Sequence, residues 1–158
     1  MALIELATLI AAPRERVFDL ARSIEAHQHS AARTQERAVA GVTSGLIGLN
    51  GEVTWQARHL GTTQELTVRI TAFERPSFFQ DVMIRGSFKT MKHDHRFAEH
   101  PGGTLMSDRF EFYSPLGVLG WLVDHLFLKA YMRRFLVRRS LALKHLAETD
   151  AWKAYLQN

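Results

Sequence analysis

The chain has no cysteine, which excludes disulfide staples and thiolate chemistry and leaves the redox state of its compartment unconstrained. Proline is scarce: Pro13, Pro76, Pro101 and Pro115 are the whole supply, each at a break in the hydropathy pattern. No hydrophobic run is long enough to span a bilayer. The greasiest, Val118 to Leu128, stops short and holds Asp124 and His125. The first residues, Met1 to Phe18, have no basic residue ahead of their apolar stretch and enter an alternating pattern at once, so they do not read as a secretory signal. A cytoplasmic location is the expectation. Acidic charge is missing from one stretch: Lys129 to Lys144 holds six basic residues and no acid, while the remainder carries fourteen basic against sixteen acidic. The net charge of +4 therefore belongs to one segment. No aromatic stacking platform accompanies it, so nucleic acid is not an expected partner. Gly45 to Gly51 is glycine-rich but joins two strands and precedes no helix, which removes a phosphate cradle. No serine has a base at a recognisable spacing.

What is present follows two periods. Ala2 to Ala11 reads as a strand, Pro13 opens a short helix with Val17, Phe18 and Ala21 on its apolar face, and Ile24 to Ala32 reads as a second helix. His27 and His29 in that piece read as solvated. Glu36 to Val42 is strand-like. Val53, Trp55, Ala57 and His59 then alternate with polar neighbours, as do Leu66, Val68, Ile70 and Ala72 after a turn at Gly61-Thr62. Phe78 to Arg85, Thr90 to Ala98 and Thr104 to Phe112 complete six consecutive strands, antiparallel because their connections are short. Ser114-Pro115-Leu116-Gly117 ends the sheet. Leu119 to Ala147 reads as one long helix. The expectation is a single α+β domain over 1–158, a curved antiparallel sheet of about seven strands wrapped around a C-terminal helix.

Several stretches resemble a known group. They are Ala12 to Asp19, Ala40 to Gly45, Val53 to His59, Met91 to Phe97 and Ser114 to Gly117. With the order of elements, they resemble the helix-grip proteins of the START, Bet v 1 and polyketide-cyclase-like (SRPBCC) superfamily. Within it they resemble a bacterial group that carries the label "cell division inhibitor". The resemblance implies a cavity between sheet and long helix. It carries over no catalytic residue, because carriers, sensors and cyclases share the scaffold.

The residues themselves point to a cavity as well. The apolar row of the long helix runs Leu128, Met132, Phe135, Arg139, Ala142, Leu146, and a lone guanidinium in such a row is costly unless paired. Inward strand positions carry Asp81, His93, His95 and Asp108 among aromatics and methionines. If Phe97 lies opposite Thr104, His93 faces Asp108, His95 faces Met106, and Asp81 lies near His93. Two carboxylates would then flank the His93 imidazole and raise its pKa. Three readings of this cluster stay open: a buried structural network with Arg139, an anchor for a ligand, or acid-base or metal chemistry. His-x-His with Asp108 has zinc-like spacing, but the neighbours are large and apolar. No metal, cofactor or catalytic residue is therefore expected.

The favoured function is binding or transport of a small hydrophobic molecule such as a lipid, fatty acid or polyketide. Arg139 and the His93-Asp108 pair would read its polar end, with Trp55 or His59 as a further anchor; Trp55, Met83, Met91, Phe110, Met132 and Phe135 would form walls, and Asp81 and His95 complete the expected binding residues. The alternatives are a polyketide cyclase or dehydratase using His93 and Asp108, or an interaction module acting through the basic helix. On that helix Val123, Leu126, Phe127, Val137 and Leu141 form a second apolar patch. The short helices are its first expected partner, a homodimer or a transient anionic membrane contact the next.

Overall fold

A computed structural model describes residues 1–114 and 117–156, with the backbone alone at 120, 121 and 123–125. Pro115 and Leu116, expected to end the sheet, lie outside the described residues, as do the side chains of Val123, Asp124 and His125.

Strand β1 (Ala2–Ile10) leads into α1 (Arg14–Ala21) and α2 (Ile24–Ser30). Then come β2 (Arg37–Gly41), β3 (Glu52–His59), β4 (Thr62–Glu74), β5 (Phe78–Arg85), β6 (Thr90–His100) and β7 (Gly103–Tyr113). All pair antiparallel in one sheet of order β1-β7-β6-β5-β4-β3-β2. The helical C-terminal run has three parts: α3 (Gly117–Val123), a π-helical stretch (Asp124–Leu128) and α4 (Lys129–Glu148). The expected single helix is therefore interrupted near its start, where the backbone widens beside the cavity described below.

Local chemistry accounts for the elements. Pro13 sits at the N-cap of α1, one residue earlier than expected, and Val17, Phe18 and Leu20 are buried. Phe18 meets Phe73, Phe79 and Phe97 edge-on with ring centroids 5.4, 5.5 and 5.2 Å away, which pins α1 to the sheet. Ser23 caps α2 by accepting from the Ala26 N–H at 3.2 Å. Between β3 and β4 the turn is Leu60-Gly61, one residue before the expected pair, and both residues have positive φ (51° and 80°).

The β6–β7 hairpin decides the site. It closes at His100 opposite Gly103, tighter than the sequence suggested, and puts Phe97 opposite Met106, His95 opposite Asp108 and His93 opposite Phe110. This corrects the expected register by two residues. Because the shift is even, every inward side chain stays inward. Gly103 is required at the turn: a Cβ there would lie 2.1 Å from the Ile10 carbonyl oxygen.

Helix α4 packs on β1, α1 and α2. Its buried face is Met132, Leu136, Ser140, Leu143, Leu146 and Ala147. The row expected from the sequence is thus rotated: Leu128, Phe135, Arg139 and Ala142 are half-buried along its margin. The second apolar patch is not covered by the short helices, since Leu126, Phe127 and Leu141 remain exposed.

Candidate functional site

Between the sheet, α2 and the N-terminal half of α4 lies a cavity of about 340 Å³. Its walls are mostly apolar: Leu66 and Val68 of β4, Phe88, Met91 of β6, Phe110 of β7, and Leu128, Met132, Phe135 and Leu136 from the helical side. The expected residues Trp55, His59, Asp81, Met91, His93, Phe110, Met132, Phe135 and Arg139 all line it. Met83, His95 and Asp108 do not. Met83 instead turns over Gly86, and His95 and Asp108 line small chambers behind the cavity wall.

Two buried polar networks meet at this cavity. The first joins helices to the edge of the sheet. Arg139 donates through Nη2 to His27 Nδ1 at 2.7 Å. A guanidinium only donates, so Nδ1 accepts, the ring proton sits on Nε2, and Nε2 donates to Glu36. His27 is therefore neutral, relaying one arginine charge to one carboxylate. Burial pushes its pKa below the ordinary value and the Arg139 charge pushes the same way. Burial alone would raise the Glu36 pKa, but His27 and Arg139 together hold it low. Trp55 stacks on the His27 ring at 3.9 Å and 13°, fixing its plane. Arg139 Nε, by contrast, is buried with no hydrogen-bond partner among the described residues.

Sequence reasoning missed this network. His27 read as solvated, whereas its side chain is 14% exposed and Glu36's is 8%. The signal for His27 was present, because it shares a helical face with Ile24 and Ala31, both buried. For Glu36, just before β2, the pattern offered none.

The second network spans three strands. His95 has a carboxylate on each ring nitrogen: Nε2 to Asp81 at 3.0 Å and Nδ1 to Asp108 at 2.9 Å. With a carboxylate against each nitrogen, the ring is held as an imidazolium. Burial opposes that charge, but the two carboxylates outweigh it and raise the pKa to about 9. The expectation that His93 would be so flanked is thus corrected by the register. His93 donates through Nε2 to Asp108 at 3.0 Å and stays neutral, its pKa lowered by burial and by the His95 charge. Burial would raise the pKa of Asp108 and of Asp81, but the histidines hold both carboxyls below the usual range. The His93 and His95 rings lie 3.8 Å apart, and Phe79 stacks on His95 from its other side at 4.3 Å.

A third polar pair sits across the cavity, where His59 Nδ1 and the Tyr131 hydroxyl share a hydrogen bond of 2.9 Å. Burial lowers the His59 pKa. The arrangement offers an apolar chamber lined also by the Arg139 side chain and by a neutral imidazole, His93, that keeps a lone pair on Nδ1.

A family model described as polyketide cyclase / dehydrase and lipid transport matches residues 1–148. In three dimensions the chain is similar to TTHA0849 from Thermus thermophilus, at 17% identity and a TM-score of 0.75, covering 91% of this chain and 95% of that one. It is also similar to CV1439 from Chromobacterium violaceum, at 14% identity and a TM-score of 0.75, covering 95% and 100%. For Ara h 8.0201 the values are 14% and 0.62, covering 90% and 97%. At these identities the likeness shows the fold alone, a helix grip. No curated protein matches the sequence.

Proposed function

Because the chain belongs to the polyketide cyclase / dehydrase and lipid transport family, we propose that it binds one small, largely apolar molecule in the cavity between sheet and α4. The observation that carries this reading is the cavity itself, about 340 Å³ and walled mostly by apolar side chains, with the polar groups of His59, His93 and Arg139 at its lining. Those groups give a ligand's polar end hydrogen-bond partners in a lining that is otherwise apolar. The Arg139 charge is already balanced by Glu36 through His27, so a carbonyl or hydroxyl oxygen serves as well as a carboxylate. A cavity of 340 Å³ suits a molecule of roughly a few hundred daltons.

Native mass spectrometry on gently purified protein, followed by solvent extraction, tests the reading. The expected result is a bound species that is weakened in Arg139→Met and absent from Ala57→Phe, which fills the chamber. Bare mass in all three, with no quenching of Trp55 fluorescence by added fatty acids or aromatic polyketides, would sink it.

Ring closure or dehydration is a second reading, favoured by one observation: neutral His93 lines the cavity with Asp108 behind it. Under it, His93→Ala abolishes turnover of a polyketide substrate while leaving its affinity intact. Under carriage alone, no turnover exists to lose.

A further inference from the structure

The four-residue cluster on β5, β6 and β7 has a geometry that hydrogen bonding alone does not require. Asp81, His93 and His95 each offer one donor atom, and these atoms all lie within 4.8 Å of one another. Behind them Asp108 contacts both imidazoles, at 3.0 and 2.9 Å; the other nitrogen of His93 keeps its lone pair, and that of His95 carries the proton it shares with Asp81, which an ion bound there displaces to solvent. In front of them is a side chamber of about 50 Å³, lined by the same three residues together with His27, Trp55 and Arg139.

We propose that Asp81, His93 and His95 form a binding site for a divalent first-row transition-metal ion, with Asp108 as the outer carboxylate that orients both histidines. Two nitrogens and one carboxylate oxygen are the donor set of three-ligand Zn²⁺ and Fe²⁺ sites, which keep further positions open. Two donors about 2.1 Å from a metal and at right angles to it are about 3.0 Å apart. The His95 Nε2 to Asp81 Oδ1 separation is 3.0 Å. Ligating histidines commonly hand their second N–H to a carboxylate, and Asp108 stands where both rings can do so. The chamber has room for an ion and about one or two waters. Asp81 and His93 also line the main cavity, so the open positions face whatever occupies it.

Register explains why the sequence suggested a different set. With His93 opposite Asp108, Asp108 would be the third ligand. The observed pairing puts Asp81 directly across from His93 and moves Asp108 behind the rings. The strands supply this geometry rigidly, since all four residues sit within hydrogen-bonded ladders. The site stands on its own residues and does not depend on the identity of the cavity's ligand.

Co²⁺ is the probe. Chelator-stripped protein titrated with Co²⁺ is expected to bind one ion per chain with new visible absorption, and to melt at higher temperature. Asp81→Asn should remove this binding, and Asp108→Asn should weaken it about 10- to 100-fold. Binding that persists in Asp81→Asn but disappears when the exposed His29, His100 and His145 are replaced by alanine would overturn the proposal. So would no absorption change with millimolar Co²⁺. Should Asp81→Asn fail to fold, the wild-type protein decides by NMR. Paramagnetic Co²⁺ should broaden the His93 and His95 ring signals first. Equal or earlier broadening at His100 and His145 would count against the site.

Discussion

His27 and His95 are buried within one interior, each beside a carboxylate, yet they carry opposite charge states. Around His27 the second ring nitrogen meets a guanidinium, which can only donate, so the ring accepts there and stays neutral. Around His95 both nitrogens meet carboxylates, which can only accept, so the ring keeps both protons. Burial penalises the cation at both sites, and what differs is the partner on the far nitrogen. The His27 network hangs from α2, the approach to β2 and α4, three separate pieces of chain. The His95 network is built into adjacent strands. The first borders the main cavity and leaves Arg139 Nε without a partner among the described residues. The second is held together by its own members, with one acceptor oxygen of Asp108 serving two rings.

The largest effect should come from truncating the strand network. Asp108→Ala leaves His93 without its partner and His95 with half of its compensation, and is expected to cost about 3–5 kcal/mol in urea unfolding. Glu36→Ala should cost less, about 1–3 kcal/mol, because the Arg139 guanidinium it strands can reach the cavity for water. Equal losses would erase the distinction between the two networks.

Next in size is the response to pH. His95 has its folded pKa raised, so its contribution to stability is complete below the unfolded value of about 6.5 and is gone once pH has risen through about 9. His27 has its folded pKa lowered, so its contribution is present above about 6.5 and is lost as pH falls below that value. Histidine ring NMR should show His95 titrating near 9 and the His27 midpoint lying below 6.5. A normal midpoint at both rings would mean the partners do not set the protonation states.

The smallest expected effect is at the third pair. Tyr131→Phe removes the hydroxyl that meets His59, and is expected to cost about 0.5–1.5 kcal/mol with the fold unchanged. A larger loss would make that pair a structural network of the same kind as the other two.

Much of this was legible in the residue order. Alternation in β3 and β4 put Trp55, His59 and Val68 inward, and the same period on β6 and β7 put His93, His95, Asp108 and Phe110 on one face. A two-residue error in register left those faces intact, since side-chain direction repeats every two residues. It still exchanged the partners of His93 and His95, and with them the identity of the cation. His27 was misjudged because seven residues of α2 are too few for polarity to outweigh the pull of its neighbours as a clue, although its spacing from Ile24 and Ala31 marked the buried face. Met83 alternates correctly, but Gly86 beside it opens a space into which its flexible chain folds, away from the cavity.

What the amino-acid order determined by itself was the set of elements and the faces they bury, because those depend on periods of two and of about 3.6 residues that any reader of the chain can count. It also determined that a guanidinium and several imidazoles would lie inside. Tertiary structure alone decided which of them meet. Hydrogen bonds act over about 3 Å, and the pairing of Arg139 with His27 or of His95 with Asp108 depends on turn geometry and helix placement that no local period encodes.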